Sequence, residues 1–243
     1  MSRLLLIDAG NSTLKWAAVD AGRWCAQGKS DYADGSDLRA ELTADTACFI
    51  ASVADPAREA ALAALLDEAG LAAVWLKAEA EFNDLKNSYR EPQQLGVDRW
   101  MGLIAARQRT RDPVLVVSVG TAMTVDALTA DAVFLGGVIV PGFKLMQQAL
   151  QQGTARVADV AGEVQAFPHT TADAVHSGIL AALCGAIRQQ YAQLAEAIGQ
   201  PPRCLLTGGD AAKLLPYLNL PGEWAPALIL EGIHCVAVER TTR

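Results

Sequence analysis

One pattern occurs twice in this chain, and it constrains the fold more than any other feature. The apolar run Leu4–Ile7 stops at a polar glycine turn, Asp8-Ala9-Gly10-Asn11, and strand-like stretches follow at Trp16–Val19 and Arg23–Gln27. Much later, Val114–Val117 runs into Ser118-Val119-Gly120-Thr121, followed by Met123–Leu128 and Val133–Val140. Short apolar runs bounded by glycine-centred polar clusters read as buried strands joined by turns. The two glycines stand 110 positions apart in a chain of 243 residues. Each half therefore carries its own copy of the pattern, and two duplicated α/β domains facing each other are expected.

The rest of the chain fills in around these copies. Ala47–Ser52 and Ala73–Leu76 read as strands. Ala57–Ala69 and Gly96–Arg107 have helical spacing, the first starting just after Asp55-Pro56. In the second half a helix starts at Phe143, a mobile-looking stretch covers Gln152–Pro168, and a long helix runs from Thr171 to Ile198. Arg203–Leu206 is a strand ending in Thr207-Gly208-Gly209-Asp210, and helices finish the chain. A boundary near Thr110–Pro113 gives expected domains of 1–112 and 113–243.

Composition removes several function classes. With 51% apolar and 19% charged residues the chain is globular rather than disordered. Twenty basic against twenty-seven acidic residues give a net charge of −7, without the basic face a nucleic-acid binder carries. Backbone amides at turns and helix starts still bind phosphate without net positive charge. The five cysteines are scattered and no zinc spacing is available with three histidines, so reduced core thiols are expected. The first apolar run is too short for a leader or a membrane span. A cytoplasmic protein with no membrane and no nucleic-acid partner is the expectation.

Four segments carry chemistry. In Asp8–Lys15 a glycine turn lets backbone amides approach a ligand, Asn11, Ser12 and Thr13 add donors, Asp8 can hold Mg2+ through water, and Lys15 can reach a phosphate oxygen. Ser118–Asp126 offers a similar set, with Gly120 for approach, hydroxyls at Thr121 and Thr124, and an acid at Asp126. The Gly208-Gly209 turn leaves room for a flat ring. Asn87–Trp100 contains Tyr89 and then Gly96-Val97-Asp98-Arg99 at an expected helix start. There Asp98 can accept a proton and Arg99 can fork onto a carboxylate or amide oxygen. Taken alone, each segment reads better as an ordinary hairpin, turn or helix start; their order along one chain is the specific signal.

That order resembles the type III pantothenate kinases. It runs from Asp8–Lys15 through Tyr89 and Leu95–Arg99, Gly120-Thr121-Ala122 with Asp126, and Gly136-Gly137 with Pro141-Gly142, to Thr171 before Ala174 and Ser177-Gly178. The resemblance implies two ribonuclease-H-like domains of the actin-like ATPase superfamily, with a ligand cleft between them. It implies transfer of the ATP γ-phosphate to pantothenate, the first step of coenzyme A biosynthesis. ATP-binding residues would be Asp8, Ala9, Gly10, Asn11, Ser12, Thr13, Leu14, Lys15 and Thr121. Pantothenate would be held by Tyr89, Gly96, Val97, Asp98, Arg99 and Thr171, with Asp98 as proton acceptor. Mg2+ with ATP and a homodimer are implied as well. The family's Asp-x-Gly-Thr-Ala acid, which helps hold K+ or NH4+, is replaced here by Ser118, so that cation is doubtful in this chain. The reading from another class is a nucleotide-binding regulatory protein on the same scaffold that transfers nothing.

Overall fold

A computed structural model describes residues 3–32, 36–43, 45–154 and 161–242. The chain divides into two compact units: residues 1–109 together with 227–243, and residues 110–226.

The first unit is built on a five-stranded sheet. Its strands are β1 (Arg3–Ala9), β2 (Leu14–Asp20), β3 (Arg23–Ser30), β4 (Thr46–Ser52) and β5 (Ala73–Trp75), in the order β3-β2-β1-β4-β5. β1–β2 and β2–β3 pair antiparallel, β1–β4 and β4–β5 parallel. Alternation along β1 sends Leu5, Ile7 and Ala9 into a core with Leu62 and Leu66, which leaves Asp8 on the opposite face. A short helix, α1 (Ser36–Arg39), precedes β4, and α2 (Pro56–Glu68) precedes β5. The start of α2 is set locally: Pro56 takes the first helical position, and the Asp55 carboxylate caps the helix by accepting from Arg58 N at 3.0 Å.

A small antiparallel hairpin, β6 (Glu81–Phe82) and β7 (Leu85–Asn87), was not expected from the sequence. Two and three residues are too few to show a period. A single 3-10 turn at Pro92–Gln94 leads into α3 (Val97–Arg109).

In the second unit, β8 (Val114–Val119), β9 (Ala122–Leu128), β10 (Val133–Pro141), β11 (Arg203–Thr207) and β12 (Gly222–Trp224) follow the order β10-β9-β8-β11-β12. β10–β9–β8 pair antiparallel, and β8–β11 and β11–β12 parallel. That is the first unit's order and orientation strand for strand, so the expected duplication is present. Its helices are α4 (Phe143–Gly153), α5 (Thr171–Ile198) and α6 (Ala211–Leu218). Val117, Val119, Met123, Val125 and Leu206 form a core with Ile179, Leu183 and Ile187 of α5. α5 starts at the side-chain cap Thr170 and ends at Gly199, whose φ of 73° is left-handed.

The last helix, α7 (Leu228–Thr242), departs from the expected 1–112 and 113–243 division. It packs on α3, β1, β2 and β4 of the first unit. The fit with α3 is close: a Cβ on Gly232 would lie 1.9 Å from Met101 O. Arg109 closes the far end of α3 with a two-point ion pair to Glu231, at 2.6 and 2.7 Å.

The stretch expected to be mobile, 152–168, divides three ways. Residues 152–153 finish α4, 155–160 lie outside the described residues, and Glu163–Thr170 is fastened to the start of α5. The Asp173 carboxylate accepts from Glu163 N at 2.7 Å and from the Thr170 hydroxyl at 2.7 Å, while the Ser177 hydroxyl accepts from Gln165 N at 3.0 Å. All five cysteines are unpaired, as expected, but Cys25 is exposed on β3 rather than in a core. Among the described residues no helix is long and apolar enough to cross a membrane.

Candidate active site

In the first unit the turn after β1 brings three charged groups together. β1 and β2 pair so that Asp8 stands directly opposite Lys15, and lateral neighbours in a sheet share a face. Lys15 Nζ lies 3.7 Å from Asp8 Oδ2. Asp8 is only 6% exposed. Burial pushes its carboxyl up to about 6; the Lys15 ammonium pulls it down and the charge of Asp98 pushes it up. The turn itself is closed by Gly10 N donating to Thr13 O at 3.2 Å, and the Tyr32 hydroxyl donates to Gly10 O at 2.7 Å. Asn11 and Ser12 are exposed at its tip. Ala9 and Leu14 point into the core, so their side chains are turned away from any ligand.

Asp98 sits in the first turn of α3, where the unsatisfied amides of a helix start favour negative charge. Arg99 N donates to its Oδ1 at 2.8 Å. Burial raises the Asp98 carboxyl above the usual range, while the Arg99 amide, the Arg99 charge and Lys15 pull it down. Gly96 makes room for this carboxylate: a Cβ there would lie 2.7 Å from Asp98 Oδ1. Gly96→Ala is therefore expected to push the carboxylate aside while leaving the fold intact. The predicted result is a kcat lowered by about 10- to 100-fold, at the scale of a misplaced catalytic group, with a melting temperature close to the parent's. Steady-state kinetics with thermal unfolding check it.

Arg99 is 5% exposed, and its Nη1 donates to the Tyr89 hydroxyl at 2.9 Å. The structure thus brings Tyr89, Gly96, Asp98 and Arg99 to one place, while the Val97 side chain is buried. Asn87 is the residue that sequence reasoning passed over. Its only signal was its place at the head of the Asn87–Trp100 segment.

In the second unit the turn after β8 is closed in the same manner, by Gly120 N donating to Ala122 O at 3.0 Å. Gly142 N donates to Thr121 O at 2.8 Å, and a Cβ on Gly142 would lie 2.0 Å from Gly120 O, so the Pro141-Gly142 pair fits closely over the turn. Gly208, with φ of 98°, lies against Val119 O in the same way. Thr121 is exposed at the turn, and Thr171 is exposed as the first residue of α5. Asp126 is buried, its carboxylate filling the space that a side chain at Gly137 would need.

Ser118 occupies the position in β8 that Asp8 occupies in β1, two residues before the turn glycine. Its lateral neighbours are Thr124 on β9 and Thr207 on β11. Three hydroxyls therefore stand side by side on one sheet face. The Thr124 and Thr207 Oγ1 atoms are buried without a hydrogen-bond partner. Ser118 gives this row a neutral oxygen where Asp8 gives the first unit a carboxylate, so a monovalent cation here would have no counter-charge from the row itself. Asp8 does fit a nucleotide-bound divalent ion, as a hard oxygen donor at the edge of an amide-lined turn. Among the described residues no group of three or more His, Cys, Asp or Glu forms a metal cage. A single carboxylate suits a metal held chiefly by phosphate and water.

The duplicated strand order, with a glycine turn after the first strand of each copy, is the two-domain α/β fold of the actin-like ATPases and sugar kinases. Solved structures agree on the fold. A candidate 2-dehydro-3-deoxygalactonokinase from Sinorhizobium meliloti matches with a TM-score of 0.65 at 15% identity, covering 98% of this chain and 99% of its own. A candidate Baf family transcriptional activator from Campylobacter jejuni matches with a TM-score of 0.62 at 21% identity, covering 98% and 100%. The family model described as type III pantothenate kinase matches residues 4–193. A type III pantothenate kinase of Thiobacillus denitrificans is 61% identical over 233 residues, 96% of either chain. That of Chromobacterium violaceum is 42% identical over 234 residues, 96% of this chain and 98% of its own. The chain belongs to the type III pantothenate kinase family. It is an ATP-using kinase, and such enzymes take their nucleotide with a divalent metal.

Proposed function

We propose that this chain carries out its family's reaction, transfer of the ATP γ-phosphate to the primary hydroxyl of pantothenate, with Asp98 as the proton acceptor. The observation that carries the reading is the cluster of Asp8, Lys15 and Asp98, two desolvated carboxylates in the field of one ammonium. Phosphoryl transfer proceeds through a loose transition state with charge on the transferring oxygens, so catalysis is mostly positioning and electrostatic stabilisation. The amides of Asn11–Thr13 and the Lys15 ammonium would hold phosphate oxygens. Asp8 would hold Mg2+, which when bound neutralises charge on the nucleotide tail. Thr121 is assigned to ATP as well.

Arg99, oriented by Tyr89, matches the planar carboxylate and amide oxygens of pantothenate. Thr171 is a further substrate contact, and the enzyme works as a cytoplasmic homodimer. Asp98 cannot ionise a primary alcohol beforehand, because the alcohol is far the weaker acid. It orients the hydroxyl and takes the proton as the new P–O bond forms.

ADP release that depends on pantothenate tests the reading; nucleotide binding with no pantothenate-dependent ADP would sink it. Because Ser118 replaces the acid, the rate is expected to agree within about twofold in sodium and potassium buffers. Ser118→Asp places an anion between Thr124 and Thr207. That variant should gain a potassium-dependent rise in melting temperature, and equal melting in both salts would count against this account of the site.

A further inference from the structure

We infer that Asn87 is the positioning residue for the pantothenate-binding segment, acting through Tyr89 and Arg99. The inference rests on the assignment of those two residues to pantothenate. Asn87 uses both ends of its amide. Its Nδ2 donates to Glu79 O at 3.1 Å and to Pro92 O at 3.2 Å, while its Oδ1 accepts from Tyr89 N at 3.1 Å. Its backbone N donates to Ala80 O at 2.9 Å.

These partners lie before the β6–β7 hairpin and at both ends of the 89–92 loop, so one side chain closes a loop that has no ladder of its own. The amide orientation follows from the partners, since two carbonyls require the NH2 group and one N–H requires the oxygen. From Tyr89 the order continues: its hydroxyl accepts from Arg99 Nη1 at 2.9 Å, and Arg99 N donates to Asp98 Oδ1 at 2.8 Å. Glu79 is tied in turn to α7 by Arg240 at 2.6 Å. A loose Tyr89 therefore takes away one of the contacts that direct the Arg99 guanidinium, the group that grips the vitamin.

The side-chain chemistry is narrow. Aspartate keeps the acceptor for Tyr89 N but turns an anion toward two carbonyl oxygens. Serine keeps one acceptor and loses the bridge.

The test is a double-mutant cycle read on both substrates. Asn87→Ala is expected to raise the KM for pantothenate by about tenfold, the scale of one or two lost hydrogen bonds. The KM for ATP should stay within about twofold, which also serves as the control for folding. Asn87→Ser should recover part of the loss and Asn87→Asp none. In a Tyr89→Ala background, Asn87→Ala should change the pantothenate KM by less than about twofold, because the group it positions is gone. Equal rises in both KM values, or an undiminished Asn87 effect in the Tyr89→Ala background, would overturn the inference. Were Tyr89→Ala alone to leave the pantothenate KM unchanged, the assignment of Tyr89 would fall and take the inference with it.

Discussion

Asp98→Asn is expected to bind both substrates with KM values within a few-fold of the parent and to lose about 10³-fold in kcat, within the range of general-base catalysis. The substitution is nearly isosteric. The oxygen of the introduced amide would still accept from Arg99 N, which now meets the Asp98 carboxylate at 2.8 Å, so the start of α3 should keep its geometry. What disappears is a group able to take a proton at neutral pH. The cost should fall on turnover rather than on binding, the pattern of an interaction that matters only in the transition state. Steady-state kinetics with both substrates varied, plus single-turnover measurement of the chemical step, distinguish this from slow product release. A variant that keeps most of its turnover would remove Asp98 from the role.

Lys15→Met should be the second most damaging change, and its signature is a shifted pH profile. Lys15 pulls the Asp8 and Asp98 carboxyls down against a burial that pushes both up. In the parent, Asp8 takes up a proton as pH falls through about 6, and activity should be lost on that acid limb. Without the ammonium both carboxyls hold their protons to higher pH, so the limb moves up, by about one pH unit for a nearby opposite charge removed. Because the two acids feel each other, the limb belongs to the pair. Loss of the phosphate contact adds about 10²-fold in kcat at the plateau. Lys15→Arg should restore most of the limb position even where it restores little of the rate. A limb that stays put in Lys15→Met would show that the ammonium does not govern these carboxylates.

The two glycine turns and their strands could be read in the sequence because buried strands announce themselves as apolar runs. Leu4–Ile7 and Val114–Val117 both fall inside the strands found. The segment Gly96–Arg99 was legible through residue types that a helix start favours. The pairing of Asp8 with Lys15 was not, since it depends on strand register, and nothing local fixes which residue of β2 faces Asp8. Nor was the raised Asp8 carboxyl, which follows from burial by residues distant in sequence. Asn87 was hidden for a different reason: the three partners of its side chain are backbone groups, and backbone groups have no letters. The return of α7 to the first unit could not be read either. Gly232 looks like any helical glycine until Met101 O is found against it.

That return gives the chain an order of completion. The first unit is made of two separated stretches, with the whole of the second unit encoded between them. A ribosome emits β1 to α3 first, then a contiguous second unit, and only then α7. Throughout that interval the helix that starts at Val97 has no α7 beside it. The Asp98 helix therefore acquires its α7 packing partner only after the whole second unit has been made.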